Sequence, residues 1–401
     1  MDAPDAAMPP GTVPDPTRQP ADSRPGDDGD TLFALSVRSA WMDIASPACN
    51  VVVTLMRKGG AGKTTLILLL ADALARFGLS VLVVDMDPQG NASIGLGREV
   101  RLIETGRTRI GNKPIMTPVA NTISEVIDSG AEGPGGADYA IAPASDNWTY
   151  EPGDPFTRGG PLFPGRPGTV GVLPAYKKLE TDAHGWAQGD LEHLRIALLE
   201  PEDGGGIAPH RRWDVVLIDT PPGGSLISVH AAKAAHHALF VSPPAKFGAK
   251  AIPETMELVQ DIRDRYYHPS LNVIGLILNE FVVNQNRKTQ GNITAQLEQA
   301  HRDHVPLYDA PLWGRIPDYT VVSDAQDAEA PLSAFLALST NRTARSVCQA
   351  AEEHAIRLLH AIGHPRAAEI TTAWQEAWPQ EDLSEQAAAR KKQGGRHRAA
   401  K

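Results

Sequence analysis

The sequence predicts an α/β fold of three layers, a mostly parallel sheet flanked by helices, and three observations carry that prediction. The apolar run Val51-Val52-Val53 leads into a glycine-rich stretch, Arg57-Lys58-Gly59-Gly60-Ala61-Gly62-Lys63-Thr64-Thr65, and then into the apolar turn Leu66 to Leu70. Two further runs, Val81-Leu82-Val83-Val84 and Val215-Val216-Leu217-Ile218, each deliver an aspartate, Asp85 and Asp219. All three runs are continuously apolar rather than alternating, which marks strands buried on both faces of a parallel sheet.

The first of these reads as strand, loop and helix. Such a loop presents consecutive backbone N–H groups that wrap a β-phosphate, and the helix N-terminus adds the positive end of its dipole. Gly59, Gly60 and Gly62 allow the backbone close approach to the phosphate. Lys63 is placed to reach the β- and γ-phosphates and the Thr64 hydroxyl to coordinate Mg²⁺, with Ala61 and Thr65 completing the phosphate cradle. Arg57 stands where the ordinary motif has its first glycine, and Lys58 follows at once. Composition alone leaves Lys58 either a solvated charge or a phosphate partner. The string Lys58-Gly59-Gly60-Ala61-Gly62-Lys63-Thr64 resembles the deviant Walker A signature of the ParA/MinD family of ATPases. The resemblance implies a P-loop NTPase of the deviant Walker A class with ATP and Mg²⁺ as cofactors. It also implies that Lys58 reaches across a dimer interface to the partner's nucleotide. There it would act like an arginine finger, an effect on the order of 10³–10⁵ in rate.

The second strand ends in Asp85-Met86-Asp87-Pro88-Gln89-Gly90-Asn91-Ala92-Ser93. Two carboxylates one residue apart at the carboxyl end of a strand face the crevice where open α/β sheets bind ligands. An Asp-Pro turn explains Pro88 but not the whole string, which resembles ParA-type plasmid and chromosome partition proteins. By that resemblance Asp87 orients the attacking water and Asp85 helps organise the metal shell. The third strand delivers Asp219 to Thr220-Pro221-Pro222-Gly223-Gly224, where the double proline forces an extended exit. This is similar to the family's Walker B and second switch, so Asp219 would hold Mg²⁺ and the two glycines would let the loop follow the γ-phosphate.

Further on the likeness loosens. Leu239-Phe240-Val241-Ser242-Pro243-Pro244 resembles the next strand and loop, with Pro244 near where relatives often carry glutamine. Val273 to Leu278 reads as another buried strand ending in Asn279. A strand-end asparagine is either a turn former or, by the resemblance, a reader of the adenine edge. Ile316-Pro317-Asp318-Tyr319, Ser323-Asp324-Ala325 and Ala330-Pro331-Leu332 resemble the family's closing segment, with Pro317 over the base.

At 401 residues, 42% hydrophobic and 21% charged, the chain buries a sizeable core in one large domain plus extensions. Residues 1–46 form an acidic Pro/Ala/Asp-rich extension expected to be disordered. The ATPase domain spans 47–364 with insertions near 101–117 and 129–168, and 365–401 is an extension with a basic tail. The first insertion is polar and basic; the second, packed with Gly and Pro, reads as a surface loop, functional or a plain expansion. Leu191, Leu194 and Leu198 have helical spacing with Asp190 as N-cap, and Thr343 to Ile362 reads as an amphipathic helix ended by Gly363. Cys49 and Cys348 lack any CxxC spacing, which excludes a disulfide framework or an iron–sulfur site. No apolar run spans a membrane and no signal peptide is evident, so a cytoplasmic enzyme is expected.

The resemblance implies a homodimer with ATP, a ParB-like adaptor protein, non-specific DNA as matrix, and no membrane partner. DNA binding of that kind is phosphate neutralisation and falls with salt. The formal charge of −10 and Asp318, where relatives usually have arginine, weigh against it. Arg287-Lys288-Thr289 lies where relatives often use a basic residue, and the tail Arg390-Lys391-Lys392 either embraces phosphates or solubilises the end. The space before Val51 is too short and polar for a DNA-reading domain. Three readings stand: a partition ATPase segregating plasmid or chromosome DNA, a related ATPase positioning a protein cargo, and an ATP-dependent biosynthetic ligase of the same superfamily.

Overall fold

A computed structural model describes residues 50–108, 112–119, 121–129, 140–150, 159–186, 189–200, 209–242, 246–280, 311–317, 320–337 and 342–377, with single positions 137 and 153. The acidic extension 1–46, Pro243 and Pro244, Arg287-Lys288-Thr289, Asp318 and the basic tail lie outside the described residues.

The chain opens with β1 (Val51–Leu55), the phosphate-loop helix α1 (Lys63–Arg76) and β2 (Ser80–Asp85). There follow α2 (Asn91–Gly95), a hairpin of β3 (Leu102–Arg107) and β4 (Pro114–Pro118), and α3 (Ile123–Ser129). Next come β5 (Ala142–Pro143), β6 (Thr169–Leu173), α4 (Lys178–Ala183), α5 (His193–Leu199), β7 (Val215–Asp219) and α6 (Leu226–Lys233). The last elements are β8 (His237–Ser242), α7 (Lys246–Asp264), β9 (Asn272–Glu280), β10 (Leu312–Pro317), α8 (Thr320–Asp327), α9 (Arg342–Ala361) and α10 (Ala367–Ala377).

Eight strands form one sheet in the order β10-β9-β8-β1-β7-β2-β6-β5, parallel throughout except for the short edge strand β5. The central strands are apolar and fully buried, as continuous Val/Leu/Ile runs require. One apolar layer packs α1, α8, α9 and α10 on one face of the sheet, and a second packs α3 to α7 on the other. This is the three-layer, mostly parallel α/β arrangement expected. Because β7 inserts between β1 and β2, Asp85 and Asp219 fall in register as neighbours at the carboxyl edge. Helix α1 stops where Gly78, at φ 75°, lets Leu79 N–H reach the Leu74 carbonyl.

A buried polar seam fastens α1 to the C-terminal helices. Arg76 pairs with Glu352 and donates to the Gly160 carbonyl (3.3 Å), while Glu352 accepts from Trp374 Nε1 at 2.7 Å. Asp72 accepts from Ser333 N–H and Oγ at 2.8 and 2.6 Å.

The structure adds to the sequence expectation and corrects it. The 101–117 region, read from the sequence only as a polar, basic insertion, forms an antiparallel hairpin. Part of the Gly/Pro-rich stretch is not surface at all. Trp148 and Tyr150 enter the core, Trp148 Nε1 donates to the Gly95 carbonyl (3.1 Å), and Leu162 N–H donates to the Arg76 carbonyl (2.7 Å). Asp190 does not cap α5, because a 3₁₀ turn over Gly189–Glu192 intervenes and Glu192 takes the cap position. The helix expected over 343–362 is α9, followed by Gly363 at φ 67°.

Buried histidines make stability sensitive to acid. Burial holds the pKa of His230, His236 and His268 down at about 3, and neighbouring cations or imidazoles add to it. His236 Nδ1 accepts the Val51 N–H and His230 Nε2 accepts the Leu194 N–H, so protonation breaks both bonds. A depressed histidine contributes stability that is present above the unfolded pKa near 6.5 and is lost as pH falls toward about 3. His230→Gln keeps the acceptor and removes the titration. Denaturant melts between pH 6.5 and 4.5 should show wild-type stability falling more steeply than the variant's, by about 1.4 kcal/mol per pH unit.

Candidate functional site

The loop between β1 and α1 is shaped by two glycines in the left-handed region, Gly60 (φ 68°) and Gly62 (φ 89°), the latter forming the α1 N-cap. A Cβ at Gly60 would meet nothing within 4 Å, so backbone conformation rather than crowding requires glycine there. Helix α7 supports the loop entrance, where Arg57 N–H donates to Thr255 Oγ1 at 3.2 Å. The Arg57 carbonyl in turn accepts from Gly223 N–H at 2.8 Å, tying the phosphate loop to the loop after β7. Gly59 and Gly60 are exposed, Lys58 is half-buried, and Ala61 is buried beneath them.

Lys63 is 6% exposed and its Nζ donates to the Met56 carbonyl at 3.4 Å. Burial lowers its pKa, against an upward pull from Asp219 and Asp87. Thr64 Oγ1 donates to Asp219 Oδ2 at 2.6 Å, and Thr65 Oγ1 accepts from Gln326 of α8 at 3.3 Å.

The three aspartates differ in what holds them. Asp85, fully buried, accepts from Asp87 N–H (3.0 Å), Ser93 N–H (2.8 Å) and Ser93 Oγ (2.7 Å), so its carboxylate anchors the start of α2. Burial raises its pKa to about 6, opposed by those bonds. Asp219 is fully buried, and burial, then the neighbouring Asp85 charge, raises its pKa to about 8. Asp87, 7% exposed, accepts from Gln89 N–H at 2.9 Å. A serine-held carboxylate and a second carboxylate on a threonine hydroxyl make a corner of hard oxygens beside the buried Lys63. Oxygens of that kind fit Mg²⁺, which Thr64 and Asp219 could hold, with Asp85 beside them.

Asn279 is 2% exposed, and its amide donates to the Ala61 carbonyl at 3.1 Å. It braces the phosphate loop from β9, a contact between residues far apart in sequence that the strand-end position did not reveal. Pro317 ends β10 beside Glu280, one register step from the Ile316–Asn279 pair. Sequence reading also missed Thr255 and Gln326, polar side chains whose partners lie 198 and 261 positions away, and gave Ser93 no role. A cavity of about 610 Å³ opens between the Asp87–Gln89 turn, the Pro221–Pro222 loop and Leu226.

Two outcomes follow from this geometry. Asn279→Ala leaves the Ala61 carbonyl without its partner, which costs about 1–3 kcal/mol of stability and weakens nucleotide binding, both readable in thermal melts with and without ATP. Asp219 carries a raised pKa, so its contribution to folding is full at low pH and is lost as pH rises through about 8. Asp219→Asn should therefore raise the ligand-free melting temperature at pH 8.5 by roughly 2–8 °C, the effect of 1–2 kcal/mol, while abolishing the Mg²⁺-dependent part of stabilisation by ATP.

Comparison with known proteins agrees with this arrangement. Residues 52–332 match the CobQ/CobB/MinD/ParA nucleotide binding domain. The chromosome partitioning protein ParA of Caulobacter vibrioides is 27% identical over 287 residues, spanning 71% of this chain and 86% of that protein. A ParA family protein of Chlamydia trachomatis is 30% identical over 224 residues, 55% of this chain and 68% of the relative. Among solved structures, a Cyanothece McdA variant in complex with ATP superposes with a TM-score of 0.55 at 18% identity, covering 78% of this chain and 96% of that one, a likeness of fold. A strand-delivered phosphate loop, paired aspartates at adjacent strand ends and a match over most of the described domain lead to one conclusion: the chain belongs to the CobQ/CobB/MinD/ParA nucleotide-binding family.

Proposed function

We propose that this protein is a ParA-like partition ATPase, a switch that pairs on binding Mg²⁺–ATP, holds non-specific DNA and is released when a ParB-like adaptor stimulates hydrolysis. The observation that carries the reading is the second lysine of the phosphate loop. Lys63 is buried against its own loop, whereas Lys58 is half-buried at the loop's entrance, the position from which a lysine would serve a neighbouring subunit. The ParA relatives support the partition assignment over other members of the family.

In this reading residues 47–364 are the ATPase domain. Gly59 to Thr65 cradle the β-phosphate through backbone N–H groups, and Lys63 spans the β- and γ-phosphates. The metal, when bound, neutralises charge on the phosphate oxygens, and Thr64 and Asp219 hold it with support from Asp85. Asp87 orients the water that displaces ADP from the γ-phosphorus, giving ADP and phosphate. Lys58 of a second subunit offsets charge on the transferring group, which is worth on the order of 10³–10⁵ in rate. Asn279 keeps the loop in shape, and Pro317 lies near enough to the same edge to border the base. Among the described residues no helix is long and apolar enough to cross a membrane. The partition reading itself puts the protein in the cytoplasm, on the nucleoid.

A second reading, an ATPase that positions a protein cargo, is favoured by the −10 charge and by Asp318. Retention on random duplex DNA that needs ATP and falls steeply with salt supports the partition reading. ATP hydrolysis with no such retention supports the protein cargo. Lys58→Ala should bind ATP with little change yet lose hydrolysis and self-association in sedimentation assays, and wild-type turnover in that variant would remove the cross-subunit role. Asp87→Ala should accumulate as an ATP-bound pair; a variant that stays monomeric in saturating ATP shows the water-positioning role to be misassigned.

A further inference from the structure

Exposed apolar surface on this molecule is concentrated at one rim. Of the seven large apolar side chains exposed among the described residues, Leu102, Ile103, Ile115, Met116 and Val119 belong to the β3–β4 hairpin or its root. A sixth, Leu226, lines the cavity beside the Asp87 turn, and only Tyr267 lies at the opposite edge of the sheet. One root of the hairpin is fixed at the carboxyl edge, where Ile123 N–H donates to the carbonyl of Pro174, just past the end of β6. The other, at Leu96, accepts from Ser145 N–H beside the amino half of β6, on the β5 side of the sheet. The hairpin therefore rises from the β5–β6 edge of the sheet, with its second root on the rim that carries the phosphate loop.

Two strands alone are marginal in water, and among the described residues no third strand joins this pair. Strand addition at its edges is obstructed. Thr108 N–H bonds to Lys113 and Val119 N–H to Arg101, so the next pairs inward, Arg107–Pro114 and Leu102–Pro118, turn their nitrogens outward. Two of the three outward nitrogens on β4 belong to proline and donate nothing, leaving Met116 alone between them, and β3 carries an irregularity between Glu104 and Gly106. What remains to be covered is side-chain surface. Ile103 and Ile115 lie on one face with the Thr105–Thr117 hydroxyl pair, and Leu102 and Met116 on the other.

Charge selects the occupant. Residues 101–118 hold Arg101, Arg107, Arg109 and Lys113 against Glu104 alone, a net +3 in a chain of −10, so the rest of the chain carries −13. A second copy thus brings the hairpin net negative charge, and aliphatic side chains on both faces suit a protein surface better than a phosphate backbone.

We propose that the β3–β4 hairpin is a clasp that a second copy of this chain covers when the nucleotide-bound pair forms. The inference rests on the ATP-dependent pairing proposed above and assigns that interface an element outside the nucleotide motifs. Because Ile103 and Met116 are 52% and 46% exposed, replacing them should leave the monomer's fold and nucleotide binding intact.

The test compares wild type, Ile103→Asp/Met116→Asp, and a variant with 102–118 replaced by a short Gly-Ser linker, by analytical ultracentrifugation with and without Mg²⁺–ATP. The expected result is a pair that forms with ATP in wild type and dissociates at least tenfold more readily in both variants, with unchanged ATP affinity. Backbone hydrogen exchange in the hairpin should slow on pairing. Wild type that stays monomeric in ATP removes the pairing itself, and this proposal with it. Wild type that pairs while both variants pair equally well overturns the clasp alone. Unaltered pairing with loss of salt-sensitive retention on random duplex DNA overturns it in favour of a nucleic-acid contact.

Discussion

The constraint on which the structure depends is the burial of Asp85 and Asp219 side by side, with Asp87 and Lys63 close enough to alter their ionisation. Buried carboxylates are costly unless paired or neutralised, and the parallel register of β2 on β7 leaves these two no freedom to separate. Asp85 meets the cost with three hydrogen bonds from the Asp87–Ser93 segment, which in turn fixes the turn that carries Asp87. Asp219 has the Thr64 hydroxyl and its own Thr220 N–H, which do not prevent the rise in its pKa. The ligand-free protein therefore favours the protonated, neutral form of Asp219 near neutral pH. A cation bound beside it would favour the ionised form, so ligand binding and folding stability would be linked at this one residue.

Much of this was legible in the sequence because parallel strands buried on both faces write themselves as short apolar runs. The three central strands, their terminal aspartates and the glycine-rich turn could be read in order for that reason. The hairpin was not legible. Its strands are short, both of its faces are exposed, and the arginines and threonines between its aliphatic residues hide any period. Trp148 and Tyr150 were concealed differently: a Gly/Pro-rich composition predicts a loop, and nothing local reveals that two aromatic side chains return to the core. Asn279 shows a third kind of limit. Its position at a strand end was visible, but its partner, the Ala61 carbonyl, is joined to it only by the sheet order.

The two rims of the sheet are chemically different. The amino-terminal rim is closed by buried neutral histidines that accept or donate single backbone bonds, as His236 does for Val51 and His268 for Ala235. The carboxyl rim gathers the phosphate loop, the two aspartate turns, the cavity beside Leu226 and the hairpin, all carried on loops over a fixed scaffold.

Within that rim the strength of attachment separates what can move from what cannot. Asp85 holds its turn by three bonds to a charged group, each stronger than a neutral one. The loop after β7 is held to the phosphate loop by the Gly223–Arg57 bond, with Ser228 reaching the Gly223 carbonyl at 3.4 Å. Bonds of that neutral kind contribute about 0.5–1.5 kcal/mol each. A ligand that contacts Gly223 or Gly224 in one arrangement and not another needs a differential affinity of only that order to shift the loop. The Asp85 turn would resist the same ligand. Asp87 thus stands on the firm side of the crevice and the Pro221–Gly224 loop on the yielding side, the division a nucleotide-timed switch requires.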